Sequence, residues 1–208
     1  LPVEVNYPAL GRWLDRVAAC TRLCNPAALL RWNIDKHYLG DLAAAGVPIV
    51  PTRYLERGDA TPLAAHLEAA GWDQAIVKPC ISGAARHTYR LDRDSAAAIE
   101  PVVRALLAGE ALLLQPFLPA ILDQGEDTLV LIDGHYTHAL RKRAKAGDFR
   151  VQDDHGGTLH ACEPTRAQRA LASQAMAACP RAPAYGRVDM VEDAGGNPCV
   201  MELELIEP

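Results

Sequence analysis

From Tyr7 to Cys20 the apolar positions Leu10, Leu14, Val17 and Ala18 share one stripe, with Arg12, Asp15 and Arg16 outward. That period predicts an amphipathic helix. Asn25-Pro26 begins a new short segment. Ile34, Tyr38, Leu42 and Ala45 recur at helical spacing, predicting a second helix with Asn33 as its N-cap and Gly46 at C′. Val47 to Thr52, pinned by Pro48 and Pro51, reads as a short extended piece. Thr61-Pro62 opens a helix that runs through Ala70 and ends at Gly71. Ala75 to Pro79 has the continuous apolar character of a buried strand, and Ser82-Gly83-Ala84-Ala85 follows as a small-residue turn. Asp94 or Ser95 caps a helix to about Ala108, and Leu112 to Gln115 is a further strand.

In the second half, Thr128 to Ile132 and His135 to Arg143 flank Asp133-Gly134, whose residues tolerate the positive φ of a type I′ turn. His155-Gly156-Gly157-Thr158 reads as a flexible loop. Thr165 to Cys179 predicts a helix stopped by Pro180. Tyr185 to Val191 and Cys199 to Leu205 read as strands around Gly195-Gly196-Asn197-Pro198. Helices interleaved with hairpins predict an α+β protein of two lobes meeting near residues 115 to 118.

The last hairpin carries the first chemical signal. With Gly195-Gly196 as midpoint, Asp189 opposes Glu202, Arg187 opposes Glu204, Val188 opposes Leu203 and Met190 opposes Met201. Side chains alternate with period 2, so one face is apolar and the other holds Arg187, Asp189, Glu202 and Glu204. Three carboxylates on one face repel unless something positive sits among them. Arg187 neutralises one; a hard divalent cation such as Mg²⁺ could neutralise the rest. A solvated polar face is the other reading of the same pattern.

The lysines add to this. There are four, Lys36, Lys78, Lys142 and Lys145, against 17 arginines. Lys78 ends the buried-strand run, just before a small-residue turn whose N–H groups can approach an anion. Lys36 falls in the first turn of the second helix, where the dipole disfavours a cation. A lysine kept where arginine is the habit suits a compact point charge, as for phosphate.

Composition narrows the classes. Of 208 residues 50% are hydrophobic and 23% charged, which excludes disorder as a whole-chain description. A net charge of −5 provides no basic field, so no nucleic-acid partner is expected. The longest uncharged run, Ala111 to Leu122, is too short and too rich in proline to span a membrane. Six scattered cysteines without a Cys-x-x-Cys pair predict thiols in a reducing cytoplasm rather than a metal or redox centre. His135, His138, His155 and His160 read as polar loop and strand residues. The first residue, Leu1, and the strand-like ending Glu202 to Pro208 lead to the expectation of a fragment of a longer protein.

The order Asn33-x-Asp35-Lys36, Gly46-Val47-Pro48-x-x-Pro51-Thr52, Val77-Lys78-Pro79 and Gln115-Pro116-Phe117-Leu118 resembles the ATP-grasp superfamily. So does the later order Gly125-Glu126, Asp133-Gly134, Gly147-Asp148-Phe149-Arg150, Gly156-Gly157, Gly186-Arg187-Val188-Asp189 and Glu202-Leu203-Glu204. The resemblance runs from about residue 30 onward. It lies with the glutathione-synthetase-like and ribosomal-protein-glutamyl-ligase-like branch, and the ending is similar to the cyclo-ligase of cycloserine biosynthesis.

The resemblance implies a fold of two α+β lobes with the nucleotide held between antiparallel sheets. It implies a connection from a missing N-terminal domain at 1–32, a first lobe at 33–114 and a second lobe with the metal site at 115–208. By its pattern Lys36, Lys78 and, near them, Lys142 hold nucleotide phosphates. Gln115, Phe117 and Leu118 belong to the hinge that takes adenine, and Glu126 takes the ribose hydroxyls. Asp189, Glu202 and Glu204 hold magnesium, Glu204 standing where many relatives have Asn. Arg150 and Arg187 face the reacting carboxylate or acyl phosphate. The implied activity is ATP-dependent joining of small-molecule carboxylate and amine substrates through an acyl phosphate, releasing ADP and phosphate. Two Mg²⁺ ions, with Mn²⁺ as substitute, and a homo-oligomer belong to the same expectation. A catalytically inactive ATP-binding module is the alternative; three intact carboxylates argue against it.

Overall fold

The computed structural model describes residues 7–83 and 85–207. The first six residues of the expected connection, Ala84 of the expected turn and Pro208 lie outside them. The elements run α1 (Tyr7–Cys20), α2 (Ala27–Ile34), α3 (Tyr38–Ala44), β1 (Arg53–Leu55), α4 (Leu63–Ala70), β2 (Gln74–Pro79), β3 (Tyr89–Asp92), α5 (Ala96–Leu107) and β4 (Leu112–Pro116). They continue with α6 (Ala120–Asp123), β5 (Glu126–Ile132), β6 (His135–Arg143), β7 (Thr158–Ala161), α7 (Arg166–Ala177), β8 (Tyr185–Glu192) and β9 (Pro198–Glu204).

The described residues form two compact units, one of residues 7–50 with 118–207 and one of residues 51–117. The smaller unit is an antiparallel sheet of order β1-β4-β2-β3 with α4 and α5. Leu55, Leu67, Val77, Leu91, Leu107 and Leu114 are buried in its core. The strands β1 and β3 have three and four residues, too few for alternation to announce them.

The larger unit is an antiparallel sheet of order β7-β6-β5-β8-β9. Helix α7 begins with a capping box, Thr165 and Gln168 bonding each other's backbone N–H. Gln168 also donates to Asp127 Oδ2 at 2.6 Å, while Arg141 donates to both Asp127 oxygens at 2.6 and 2.8 Å. One buried carboxylate thus ties β5, β6 and α7 together. The β5–β6 turn has Asp133 at φ 51° and Gly134 at φ 75°, the left-handed pair a type I′ hairpin demands.

Four findings depart from the sequence reading. Residues 33–50, expected in the first lobe, group with the later strands. The reason is hydrogen bonding over long separations: Val50 N donates to Val200 O, and Val200 N to Pro48 O, both at 2.9 Å. Asn33 is no N-cap; it lies in the last turn of α2, and His37 precedes α3. The expected loop at Thr158 instead starts β7, an exposed edge strand paired to β6.

The fourth is a β-bulge. Asp189↔Glu202, Val188↔Leu203 and Arg187↔Glu204 pair as the hairpin predicts, but Met190 faces Val200 rather than Met201. Met201 is the extra residue, half-buried, whereas Val200 is fully buried. A bulge leaves one residue outside the pairing and bends its strand. Met201→Ala is therefore expected to cost about 1 kcal/mol or less, not the roughly 2–5 kcal/mol of a core methionine. Urea unfolding of the variant checks this. The six cysteines are free thiols, and no helix among the described residues is long and apolar enough to cross a membrane.

Candidate active site

One face of the larger unit's sheet gathers the charged residues. Strand pairing sets them in rows: Lys142 beside Glu126; then Leu140, Thr128, Asp189 and Glu202; then His138, Val130, Arg187 and Glu204. The alternation of β5, β8 and β9 puts all of these on the same side. Leu129, Val188 and Leu203 face the other way and are buried.

At the centre Asp189, 2% exposed, is held by three neighbours. Arg187 donates from Nε at 3.0 Å and Nη2 at 3.0 Å. Lys142 Nζ lies 3.1 Å from Oδ2, and Thr128 Oγ1 donates to Oδ1 at 2.8 Å. Burial alone would raise this carboxyl, but Lys142, Arg187 and Thr128 outweigh it and hold it below its ordinary value. Lys142 Nζ also reaches Glu126 Oε1 at 2.8 Å. Glu126 is equally buried, and burial together with the Asp189 charge pushes its carboxyl up. The two acids that share Lys142 are thereby driven apart. Burial works against the charges of Lys142 and Arg187, yet their acidic neighbours keep both above their ordinary values.

On β9, Glu202 Oε1 accepts from Lys36 Nζ at 3.1 Å, the lysine side chain being only 6% exposed. Glu204 Oε1 accepts from the backbone of Ile206 at 2.7 Å and Glu207 at 3.1 Å, fixing the turn after the strand. Burial and the neighbouring Glu202 nonetheless raise its carboxyl. Four carboxylates, Glu126, Asp189, Glu202 and Glu204, thus meet three cations, Lys36, Lys142 and Arg187.

The structure brings together Lys36, Glu126, Lys142, Arg187, Asp189, Glu202 and Glu204. Other expected site residues have different surroundings. Arg150 is engaged by Asp148, through Nε at 3.0 Å and Nη2 at 2.7 Å, in the loop after β6. That hydrogen bonding holds the Asp148 carboxyl well below its ordinary value. Lys78 pairs with Leu113 across β2 and β4 in the smaller unit. There Gln115 is buried and donates to Thr52 Oγ1 at 2.9 Å, and Arg90 lies over the Phe117 ring at 3.6 Å. Phe117 is the last residue of that unit and Leu118 resumes the larger one.

Two members of the cluster escaped the sequence reading. Thr128 stands two residues after Glu126, so strand alternation could have found it. Tyr38 counted only as an apolar helix position; its buried hydroxyl accepts from Leu203 N at 2.9 Å. Burial, then the charge of Glu202, raises that phenol well above its ordinary value.

Comparison with known proteins gives this arrangement a context. Residues 58–182 match the family described as prokaryotic glutathione synthetase, ATP-grasp domain. The chain is 37% identical over 215 residues to the cycloserine biosynthesis protein DcsG of Streptomyces lavendulae, covering 93% of this chain and 69% of that protein. It is 32% identical over 161 residues to a glutathione synthetase of Prochlorococcus marinus (strain MIT 9313), covering 75% of this chain and 49% of that one. The crystal structure of D-cycloserine synthetase DcsG superposes with a TM-score of 0.88 at 34% identity, over 99% of this chain and 73% of that one. The chain belongs to the ATP-grasp family, in the group of prokaryotic glutathione synthetase ATP-grasp domains, and is an ADP-forming carbon–nitrogen ligase of that family, whose members generally use ATP and Mg²⁺.

Proposed function

We propose that this ligase activates a small amino-acid-derived carboxylate as its acyl phosphate, which an amine or related nucleophile then attacks, releasing phosphate. The observation that carries the reading is the excess of acid on one buried sheet face: four carboxylates and three cations, with Glu126 and Glu204 pushed up by burial and acidic neighbours. The donor set is entirely hard oxygen, which fits Mg²⁺ and its substitute Mn²⁺ and not a thiophilic metal. Asp189, Glu202 and Glu204 would hold the metal. Bound there, Mg²⁺ would offset charge on the nucleotide phosphates.

The remaining roles follow from charge and position. Lys36 and Lys142, already buried among acids, would turn their ammonium groups to phosphate oxygens with a divalent cation held on those carboxylates. Arg187 offers a planar fork, in the outer row beside Glu204, suited to a substrate carboxylate. Glu126 accepts from ribose hydroxyls. Lys78, Gln115 and Phe117 in the smaller unit and Leu118 in the larger keep the nucleotide roles that the family pattern implies, and Arg150 would serve the substrate after release from Asp148. Similarity to a cycloserine biosynthesis protein supports an acid of amino-acid size.

Two measurements test this. Incubation with ATP, Mg²⁺ and a panel of amino-acid derivatives is expected to release ADP and phosphate; AMP and pyrophosphate would overturn the acyl-phosphate route. In Glu202→Gln the thermal shift given by Mg²⁺–ATP is expected to vanish. At ligand 100-fold above Kd that shift corresponds to about 2.7 kcal/mol. A variant that kept the full shift would remove Glu202 from the metal site and overturn the reading of this face.

A further inference from the structure

We infer that Asn33 and Tyr38 are positioning residues for the metal-facing carboxylates Glu202 and Glu204, acting through the backbone of β9; this rests on the site reading above. Strand β9 is the last in its sheet order; its outer edge is bridged by the Pro48–Val50 segment at Val200, and beyond that bridge no strand among the described residues pairs with it. Side chains from the segment between Asn25 and Tyr38 take that place. Asn33 Nδ2 donates to Leu203 O at 2.7 Å, and Asn33 Oδ1 accepts from Leu205 N at 2.8 Å. One carboxamide thus engages the edge as a peptide group of a neighbouring strand would. Tyr38 Oη accepts from Leu203 N at 2.9 Å, so both outward backbone groups of Leu203 are satisfied by side chains.

Leu203 lies between Glu202 and Glu204, and its side chain points to the core. Fixing its peptide groups fixes which face its two neighbours present. That matters here because the bulge at Met201 interrupts the pairing just upstream. A shift of one residue would turn both carboxylates away from Asp189. Lys36, between the two positioning residues in sequence, bonds Glu202 itself. A motif read as helix cap plus phosphate lysine therefore serves as a frame around the last strand.

A purely structural clamp is available as an internal control. Asn25, 1% exposed, donates to Leu205 O at 2.8 Å and Tyr185 O at 3.0 Å and accepts from Ala184 N at 2.8 Å. It ties the ends of β8 and β9 beyond the carboxylate rows.

The test measures Mn²⁺ binding by electron paramagnetic resonance, with a non-hydrolysable ATP analogue present, alongside urea unfolding of the same proteins. Asn33→Ala and Tyr38→Phe are expected to weaken Mn²⁺ about 10–100-fold, as loss of outer-shell partners does, and to change the bound-Mn²⁺ spectrum. Asn25→Ala is expected to lower stability while Mn²⁺ affinity and spectrum stay those of the parent. Tyr38→Phe removes a single oxygen and decides the matter if Asn33→Ala does not fold. Unchanged Mn²⁺ affinity and spectrum in Tyr38→Phe and in any folded Asn33→Ala would overturn the inference. If the parent and Glu202→Gln bind Mn²⁺ equally, the site reading itself fails and takes the inference with it.

Discussion

Lys142→Met is expected to lower folding stability by about 3–5 kcal/mol at neutral pH, the range for removing one partner of a buried ion pair. The lysine is shared by two buried acids, at 2.8 Å from Glu126 and 3.1 Å from Asp189. Methionine keeps most of the side chain's length and apolar contact, so the loss isolates the charge. Asp189 keeps Arg187 and Thr128; Glu126 loses the one ion-pair partner described for it. Both carboxyls must then rise in the folded state, while their unfolded values stay put. A carboxyl whose folded pKa is raised favours folding below its unfolded pKa, and this advantage is lost as pH rises through the folded pKa. The deficit of the variant should therefore shrink as the solution is acidified from pH 7.5 toward about pH 4. Urea unfolding of parent and variant at several pH values measures this. A deficit that stays constant with pH would reduce Lys142 to a packing residue.

Gly125→Ala is the second large effect. Gly125 has φ +94°, and a Cβ there would meet Lys142 O at 2.3 Å. The obstacle is backbone of β6, not a side chain that can swing aside. Strain at a left-handed position costs about 1–3 kcal/mol and overpacking a similar amount. A loss of about 3 kcal/mol or more is therefore expected. Relief of the clash moves β6 away at the point where Lys142 crosses to Glu126, so Mg²⁺–ATP stabilisation should fall as well. Gly134→Ala makes the comparison: φ is +75° there, but nothing lies within 4 Å of the added carbon. It should pay the conformational cost alone, leaving the ligand response intact. Equal losses in the two variants would show that the approach of Lys142 is unimportant.

Much of this site could be read from the chain. Gly195-Gly196 sets a hairpin midpoint, and period-2 alternation then pairs Asp189 with Glu202 and Arg187 with Glu204 without further information. What failed was non-local. No residue announces the bulge at Met201, so alternation alone places the register beyond Asp189 one residue out. Asn33 has the local character of a helix cap, but its amide is used by a strand 170 residues away. Residues 33–50 followed their neighbours in the sequence reading and follow Val200 and Leu203 in space. Strand β7 is exposed along its whole length, so no apolar pattern marks it; only its hydrogen bonds to β6 define it.

The clamp on β9 also has a consequence in time. Its contacts join residues 25–50 to residues 184–205, so the acidic face has a high contact order. During synthesis from the N-terminus, Lys36 and Tyr38 leave the ribosome long before Glu202 exists. Residues 51–117 are contiguous and have their own core, so they can fold as a nascent unit. Asn25 and Asn33 must wait, their amides open to solvent or to chaperones, until residue 205 has emerged. A ribosome stalled before Pro198 would hold a chain whose smaller sheet is complete while its acidic face has yet to form.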